Sequence, residues 1–272
     1  MNWLEAILLG FIQGATEFLP ISSSGHLLLI PSLLHLPEPS LNLIAIAHLG
    51  TLLAVLIYFW RDLWRILLGF LSGLWQRRPM ASTEARLGWF ILVGSVPAAA
   101  AGLTLKDFFD SVFGQPTIAA VLLLVTAALL IGGERLLSGQ KGLAQMGWRD
   151  AIVIGLMQML ALLPGISRSG STITAGLARG LDRATAARYS FLLGTPAIGG
   201  AGLLAISDLL QAPDIAAQTP FLLLTFATAA LVGYACIHLL LRWLRQRTLY
   251  GFAAYCAAFG LFYLTAAWLG LV

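Results

Sequence analysis

Apolar residues run almost without interruption over six stretches of the chain, 41–60, 87–105, 116–133, 185–209, 220–241 and 250–271. About 20 such residues cross a bilayer as a helix, so each stretch predicts a full transmembrane helix. The stretch 63–75 is apolar but short. Arg61, Arg65, Arg77 and Arg78 flank or interrupt it, which predicts an interfacial or partly inserted helix. Two further apolar segments are broken near their middles, at Leu19-Pro-Ile-Ser-Ser-Ser-Gly25 and Leu163-Pro-Gly-Ile-Ser-Arg-Ser-Gly170. Proline removes a backbone donor and clashes with the preceding turn, while serine and glycine favour caps and turns. Each segment therefore predicts a re-entrant helix-loop-helix, whose irregular backbone survives at membrane depth only inside protein or beside a wet cavity.

The two broken segments are copies of one another. Set against each other without a gap, residues 5–26 and 150–171 match at eight places: Ala6, Ile7, Gly10, Gln13, Ile21, Ser22, Ser24 and Gly25 face Ala151, Ile152, Gly155, Gln158, Ile166, Ser167, Ser169 and Gly170. Further on, Leu49-Gly-Thr51 meets Leu193-Gly-Thr195 after a shift of one. The chain reads as an internal duplication, with residues 1–140 carrying the loop 19–25 and residues 141–272 carrying the loop 163–170.

Composition fixes the class. The chain is 59% hydrophobic and 10% charged, with a mean hydropathy of +0.87, against about 45–50% apolar and 25% charged in soluble domains. The expected fold is an all-α polytopic membrane protein. The first twenty residues hold no Lys or Arg and include Glu5, unlike a cleavable signal peptide, so this segment is expected to be kept and structural. Cys236 and Cys256 lie in apolar runs and read as packing. The net charge of +4 fits basic cytoplasmic loops, and nothing supports nucleic-acid binding. Alternating the spans puts Arg61, Arg65, Arg77, Arg78 and Arg86 on one side with Arg135, Lys141, Arg149, Arg179, Arg183, Arg188, Arg242, Arg245 and Arg247, leaving Lys106 on the other. The positive-inside rule makes the first side cytoplasmic. The two broken segments then enter from opposite faces as inverted repeats, both termini lie outside, and the loops meet near the midplane.

Positions shared by the copies read as scaffold, and positions that differ as chemistry. Ser22, Ser24 and Gly25, with Ser167, Ser169 and Gly170, would turn the chain and cap a second half-helix whose N-terminus suits an anion. Glu17 faces Leu162, Ser23 faces Arg168 and His26 faces Ser171, so one copy brings a carboxylate and an imidazole while the other brings a guanidinium. Glu17 lies one turn after Gln13 and ends its half-helix, where the dipole disfavours a bare anion. It is expected to be protonated, paired with Arg168 or bound to a cation; with a phosphate substrate, Mg²⁺ or Ca²⁺ bridging carboxylate and phosphate is attractive. A plain Glu17–Arg168 tether is the simpler alternative. Arg168 offers a planar fork of donors to phosphate among the hydroxyls of Ser167, Ser169, Ser171 and Thr172. His26 reads as nucleophile or general acid, and Ser23 as a nucleophile with His26 as base. Gln13, matched by Gln158, reads as structural. His35, His48 and His238 read as packing or interfacial, and Trp60 and Trp148 as an interfacial belt. An intact-substrate carrier or flippase is the rival reading, since inverted repeats with broken helices are common in transporters.

Gln13-Gly-Ala-Thr-Glu17, Pro20-Ile-Ser-Ser-Ser-Gly-His26 and Pro164-Gly-Ile-Ser-Arg-Ser-Gly-Ser-Thr172 together resemble the undecaprenyl-pyrophosphate phosphatase family, also called bacitracin-resistance proteins, over essentially the whole chain. The resemblance implies a multi-pass hydrolase of the bacterial inner membrane that converts undecaprenyl diphosphate to undecaprenyl phosphate and inorganic phosphate. It implies a divalent cation near Glu17. It gives central roles to Glu17, Ser23, His26 and Arg168, with Gln13, Ser22, Ser24, Gly25, Ser167, Ser169, Gly170 and Thr172 around the substrate. It also implies a polyprenyl diphosphate partner within the lipid bilayer, bacitracin competing indirectly by binding that substrate, and a homodimer as one assembly. Where many members have Glu, this chain has Gln13, one carboxylate fewer for a metal.

Overall fold

The computed structural model describes residues 2–209 and 215–272. Its helices are α1 (Trp3–Phe18), α2 (Ser23–Leu33), α3 (Leu41–Tyr58), α4 (Trp60–Trp75), α5 (Thr83–Thr104), α6 (Lys106–Phe113), α7 (Pro116–Leu136), α8 (Trp148–Leu160), α9 (Arg168–Ala178), α10 (Arg183–Leu209), α11 (Ile215–Leu244) and α12 (Tyr250–Trp268). Among the described residues there is no strand, only an isolated bridge between Lys141 and Leu181. Local chemistry sets the helix starts. Asn2 and Glu5 close a capping box on α1, Ser40 and Ser82 cap α3 and α5, Pro116 opens α7, and Asp182 accepts the Thr185 N–H at the start of α10.

Four helices are long and apolar enough to cross a membrane: α5, α7, Gln218–Leu244 of α11, and α12. They answer four of the six expected spans. The run 41–60 corresponds to α3, which ends at Tyr58 and turns by 78° into α4; the two together pass as a fifth span. The run 185–209 lies in the 27-residue α10, which is not apolar enough to qualify among the described residues. Its first half packs inside the protein, with Tyr189, Ser190, Phe191, Leu192 and Leu193 all buried, while Leu203 further along is exposed. Helix α4 leaves Trp64, Leu67, Leu68, Leu71 and Leu74 exposed while Ile66 and Gly73 bury against α5, as an interfacial helix would. The short helix α6 was not expected from the sequence.

The two halves exchange their packing. Helix α1 lies against α11, and α8 lies against α5. Gly10 explains why the repeat keeps a glycine there: a Cβ would run into the Thr225 carbonyl of α11, and at the matching Gly155 it would run into the backbone of Gly94 in α5. Close approach through small residues is the usual way helices associate in a membrane. Ion pairs tie one end of the bundle. Arg188 meets Asp62 at 2.5 Å, Arg179 meets Asp150 at 2.9 Å, and Glu134 holds Arg183 while accepting the Leu249 N–H at 2.7 Å. The open ends of α8 and α9 belong to this basic end. Those of α1 and α2 lie at the other, where the Thr225 hydroxyl donates to the Ala6 carbonyl and Ser32 meets Tyr263 at 2.7 Å. The two hairpins thus enter from opposite ends and touch at their turns.

Candidate active site

The first turn occupies the residues between α1 and α2, and the second those between α8 and α9. In both, the serine before the half-helix caps it: Ser22 Oγ accepts the Gly25 N–H at 3.3 Å and Ser167 Oγ accepts the Gly170 N–H at 3.0 Å. Each capping hydroxyl also meets the serine two residues on, Ser24 at 3.4 Å and Ser169 at 3.2 Å. The shared residues therefore build the same frame twice. The turns interlock, since the Ser169 hydroxyl donates to the Leu19 carbonyl at 3.1 Å and Gly25 stacks on Gly165.

The residues that differ are brought together across this frame. Arg168 Nη2 donates to Glu17 Oε1 at 2.6 Å, and the Ser23 hydroxyl donates to Glu17 Oε2 at 2.6 Å. Gln13 Nε2 donates to the same Oε2 at 3.0 Å and to Thr51 Oγ1 at 3.4 Å. Glu17 is only 7% exposed. Of the three states open to its carboxylate, the structure contains the pairing with Arg168. A second donor arm, Arg168 Nη1, reaches the Ser190 carbonyl at 3.2 Å. Space for the guanidinium comes from Gly194, where a Cβ would collide with it.

Glu17, Ser23, Ser24, Ser167 and Arg168 line a cavity of about 390 Å³ together with His48 and Gln158. The first turns of α2 and α9 both face it, so two helix N-termini, one guanidinium and the carboxylate paired with it converge on one space. The remaining expected residues stand elsewhere. Gln13, Ser22, Gly25, Ser169 and Gly170 frame the turns. Thr172 is fully buried inside α9, bonded to the Arg168 carbonyl at 2.7 Å and to Ser190 Oγ at 2.6 Å. His26 turns the other way: its Nδ1–H donates to the Ser22 carbonyl at 2.8 Å, Nε2 accepts the Tyr255 hydroxyl at 2.7 Å, and the ring stacks on Tyr255 and Phe259. It borders a separate apolar cavity of about 640 Å³. With both ring nitrogens engaged, His26 is not the base partner of Ser23 in this structure.

Sequence reasoning missed His48, which stands beside Glu17 with Nε2 at 3.6 Å from Oε2 while Nδ1–H donates to the Ile44 carbonyl. Its one signal was adjacency to the repeated Leu49-Gly-Thr51. Thr126 was missed as well. From the apolar α7 its hydroxyl donates to the Gly165 carbonyl at 2.9 Å and accepts the Ser167 N–H at 3.0 Å, pinning the second turn.

Fold and site together define a multi-pass membrane protein with a polar pocket where the turns between α1 and α2 and between α8 and α9 meet. The chain belongs to the bacitracin resistance protein BacA family, whose model matches residues 6–262. It is similar to the undecaprenyl-diphosphatase of Thermomicrobium roseum, 46% identical over 268 residues that cover 96% of each chain. Its likeness to the undecaprenyl-diphosphatase of Myxococcus xanthus is also 46% over 263 residues, covering 96% of this chain and 87% of the other. That of Methanosphaera stadtmanae is 42% identical over 270 residues, covering 96% of both.

Proposed function

We propose that this protein is an undecaprenyl-diphosphate phosphatase, releasing inorganic phosphate from undecaprenyl diphosphate and returning undecaprenyl phosphate to cell-wall synthesis. The observation that carries the reading is the chain of contacts Ser23–Glu17–Arg168, a hydroxyl and a cation on the two oxygens of one buried carboxylate. It supplies a nucleophile in hydrogen-bond reach of a base, beside the charge that phosphoryl transfer needs. Glu17 takes the Ser23 proton as Oγ bonds to the terminal phosphorus, the anhydride P–O bond breaks, and Glu17 passes the proton to the departing undecaprenyl phosphate. Water then loses a proton to Glu17 and attacks the phosphoserine, inorganic phosphate leaves, and the proton returns to Ser23 Oγ. Arg168 and the N–H groups opening α2 and α9 balance the phosphate charge throughout. The apolar walls of the same cavity, Ala98, Phe113, Leu162 and Ile198, suit the isoprenoid next to the diphosphate.

Among the described residues no group of three or more His, Cys, Asp or Glu side chains forms a metal cage. The donors present suit a hard cation that takes most of its ligands from phosphate and water, with Glu17 as the one carboxylate and the buried, unpartnered Gln13 Oε1 beside it. Such a cation, Mg²⁺ or Ca²⁺, would supply neutralising charge to the phosphates. The exchange-symmetric packing of α1 on α11 and α8 on α5 supports two inverted repeats, 1–140 and 141–272, with re-entrant hairpins. The cavity is lined from the N-terminal half of α3 and the C-terminal halves of α5 and α10, away from the basic end. By the positive-inside rule it opens outward, toward the periplasm or cell exterior.

The test is phosphate release from undecaprenyl diphosphate by purified protein in detergent, with and without chelator, alongside Arg168→Leu. Release is expected to depend on the cation and to fall by about a hundred-fold or more in the variant. A near-normal rate in folded Arg168→Leu would sink the assignment, and an unchanged rate under chelation would remove the cation from it.

A further inference from the structure

Gln158 stands on the last turn of α8, lines the Glu17–Arg168 cavity and is 2% exposed. Neither its carboxamide oxygen nor its nitrogen has a hydrogen-bond partner among the described residues. Buried amides are almost always paired, because an unpaired one loses its hydration without compensation. The duplication shows what this amide lacks. Its counterpart Gln13 spends its NH₂ group on Glu17 and Thr51. In the second copy the place of Glu17 is taken by Leu162, and the counterpart of Thr51, Thr195, turns its hydroxyl to the Phe191 carbonyl at 3.3 Å. The partners of Gln13 have been removed around Gln158, yet the glutamine is still there, in the wall of the cavity with both amide atoms buried just behind it.

We propose that Gln158 is a substrate-binding residue whose carboxamide N–H donates to a phosphate oxygen of the lipid diphosphate. It supplies from α8 the contact that Gln13 makes to the carboxylate from α1. The inference rests on the phosphatase reading for the identity of the ligand. The two glutamines then hold the two reacting partners, Gln13 the Glu17 carboxylate and Gln158 the diphosphate.

Gln158→Leu keeps the bulk and removes both polar atoms. The expected result is a KM for undecaprenyl diphosphate raised about ten-fold, with a melting temperature equal to or above that of the unsubstituted protein, because the leucine has no amide to leave unpaired. Gln158→Asn, which withdraws the amide by one methylene, is expected to fall between the two and serves if the leucine variant does not fold. Protection against thermal unfolding by inorganic pyrophosphate reads the same contact without turnover and is expected to need about ten-fold more ligand in Gln158→Leu. A KM and a pyrophosphate protection both within about two-fold of the unsubstituted protein would overturn the assignment. Should the unsubstituted protein release no phosphate while pyrophosphate protection still depends on Gln158, the phosphatase reading falls and the phosphate contact stands.

Discussion

The two turns at the centre of this protein start from nearly the same sequence and end with different duties. Both cap a half-helix with serine, at Ser22 and Ser167. The second turn is the rigid one. Gly165 takes the left-handed backbone at φ 93°, Ser167 keeps an ordinary φ of −72°, and Thr126 holds both sides of the turn from α7. In the first turn Ser22 itself sits at φ 71°, a region that L-residues rarely adopt. This turn leans on the second through the Ser169–Leu19 bond. The braced turn presents Arg168, and the strained turn presents the hydrogen-bonded pair Glu17 and Ser23. The matching residues build one frame twice, and the residues that differ between the two segments meet across it.

Removing the brace tests that division most strongly. Thr126→Val leaves the Gly165 carbonyl and the Ser167 N–H unpaired in the interior, and is expected to cost about 2 kcal/mol or more, read as a lower melting temperature in detergent, together with a drop in phosphate release as Arg168 loses its setting. A variant as stable and active as the parent would show that the second turn is not the rigid partner. A smaller effect sharpens the comparison from the first turn. Because His26 faces Tyr255 rather than the cavity, Tyr255→Phe is expected to change phosphate release by less than about three-fold. A loss as deep as that of Arg168→Leu would place the His26–Tyr255 pair in the chemistry after all.

Much of this was legible in the sequence because the signals are local. Pro20, Pro164 and the serines after them marked the breaks between helices, and the alignment of Gly10 and Gln13 with Gly155 and Gln158 picked out two glycines that each sit against a neighbouring helix backbone. Subtracting one copy from the other picked out Glu17, Ser23 and Arg168, which the fold brings within bonding distance. What failed was the information that only packing supplies. Hydropathy gives no sign that the chain turns by 78° at Phe59, between α3 and α4. It also treats α10 as uniform along its length, whereas Tyr189, Phe191 and Leu193 in its first half are buried in protein and Leu203 is exposed. Orientation was equally invisible: His26, inside the serine motif, points away to α12, while His48, alone on α3, points at Glu17.

The most direct measurement of the central claim follows the transferred phosphoryl group. Undecaprenyl diphosphate labelled on its terminal phosphate is mixed with purified protein, quenched in acid within the first turnover, and the peptides are mapped. Label on the peptide carrying Ser23, absent in Ser23→Ala together with phosphate release, is the expected result. Sustained release of labelled phosphate by Ser23→Ala would contradict the Ser23–Glu17 mechanism and hand the attack to water.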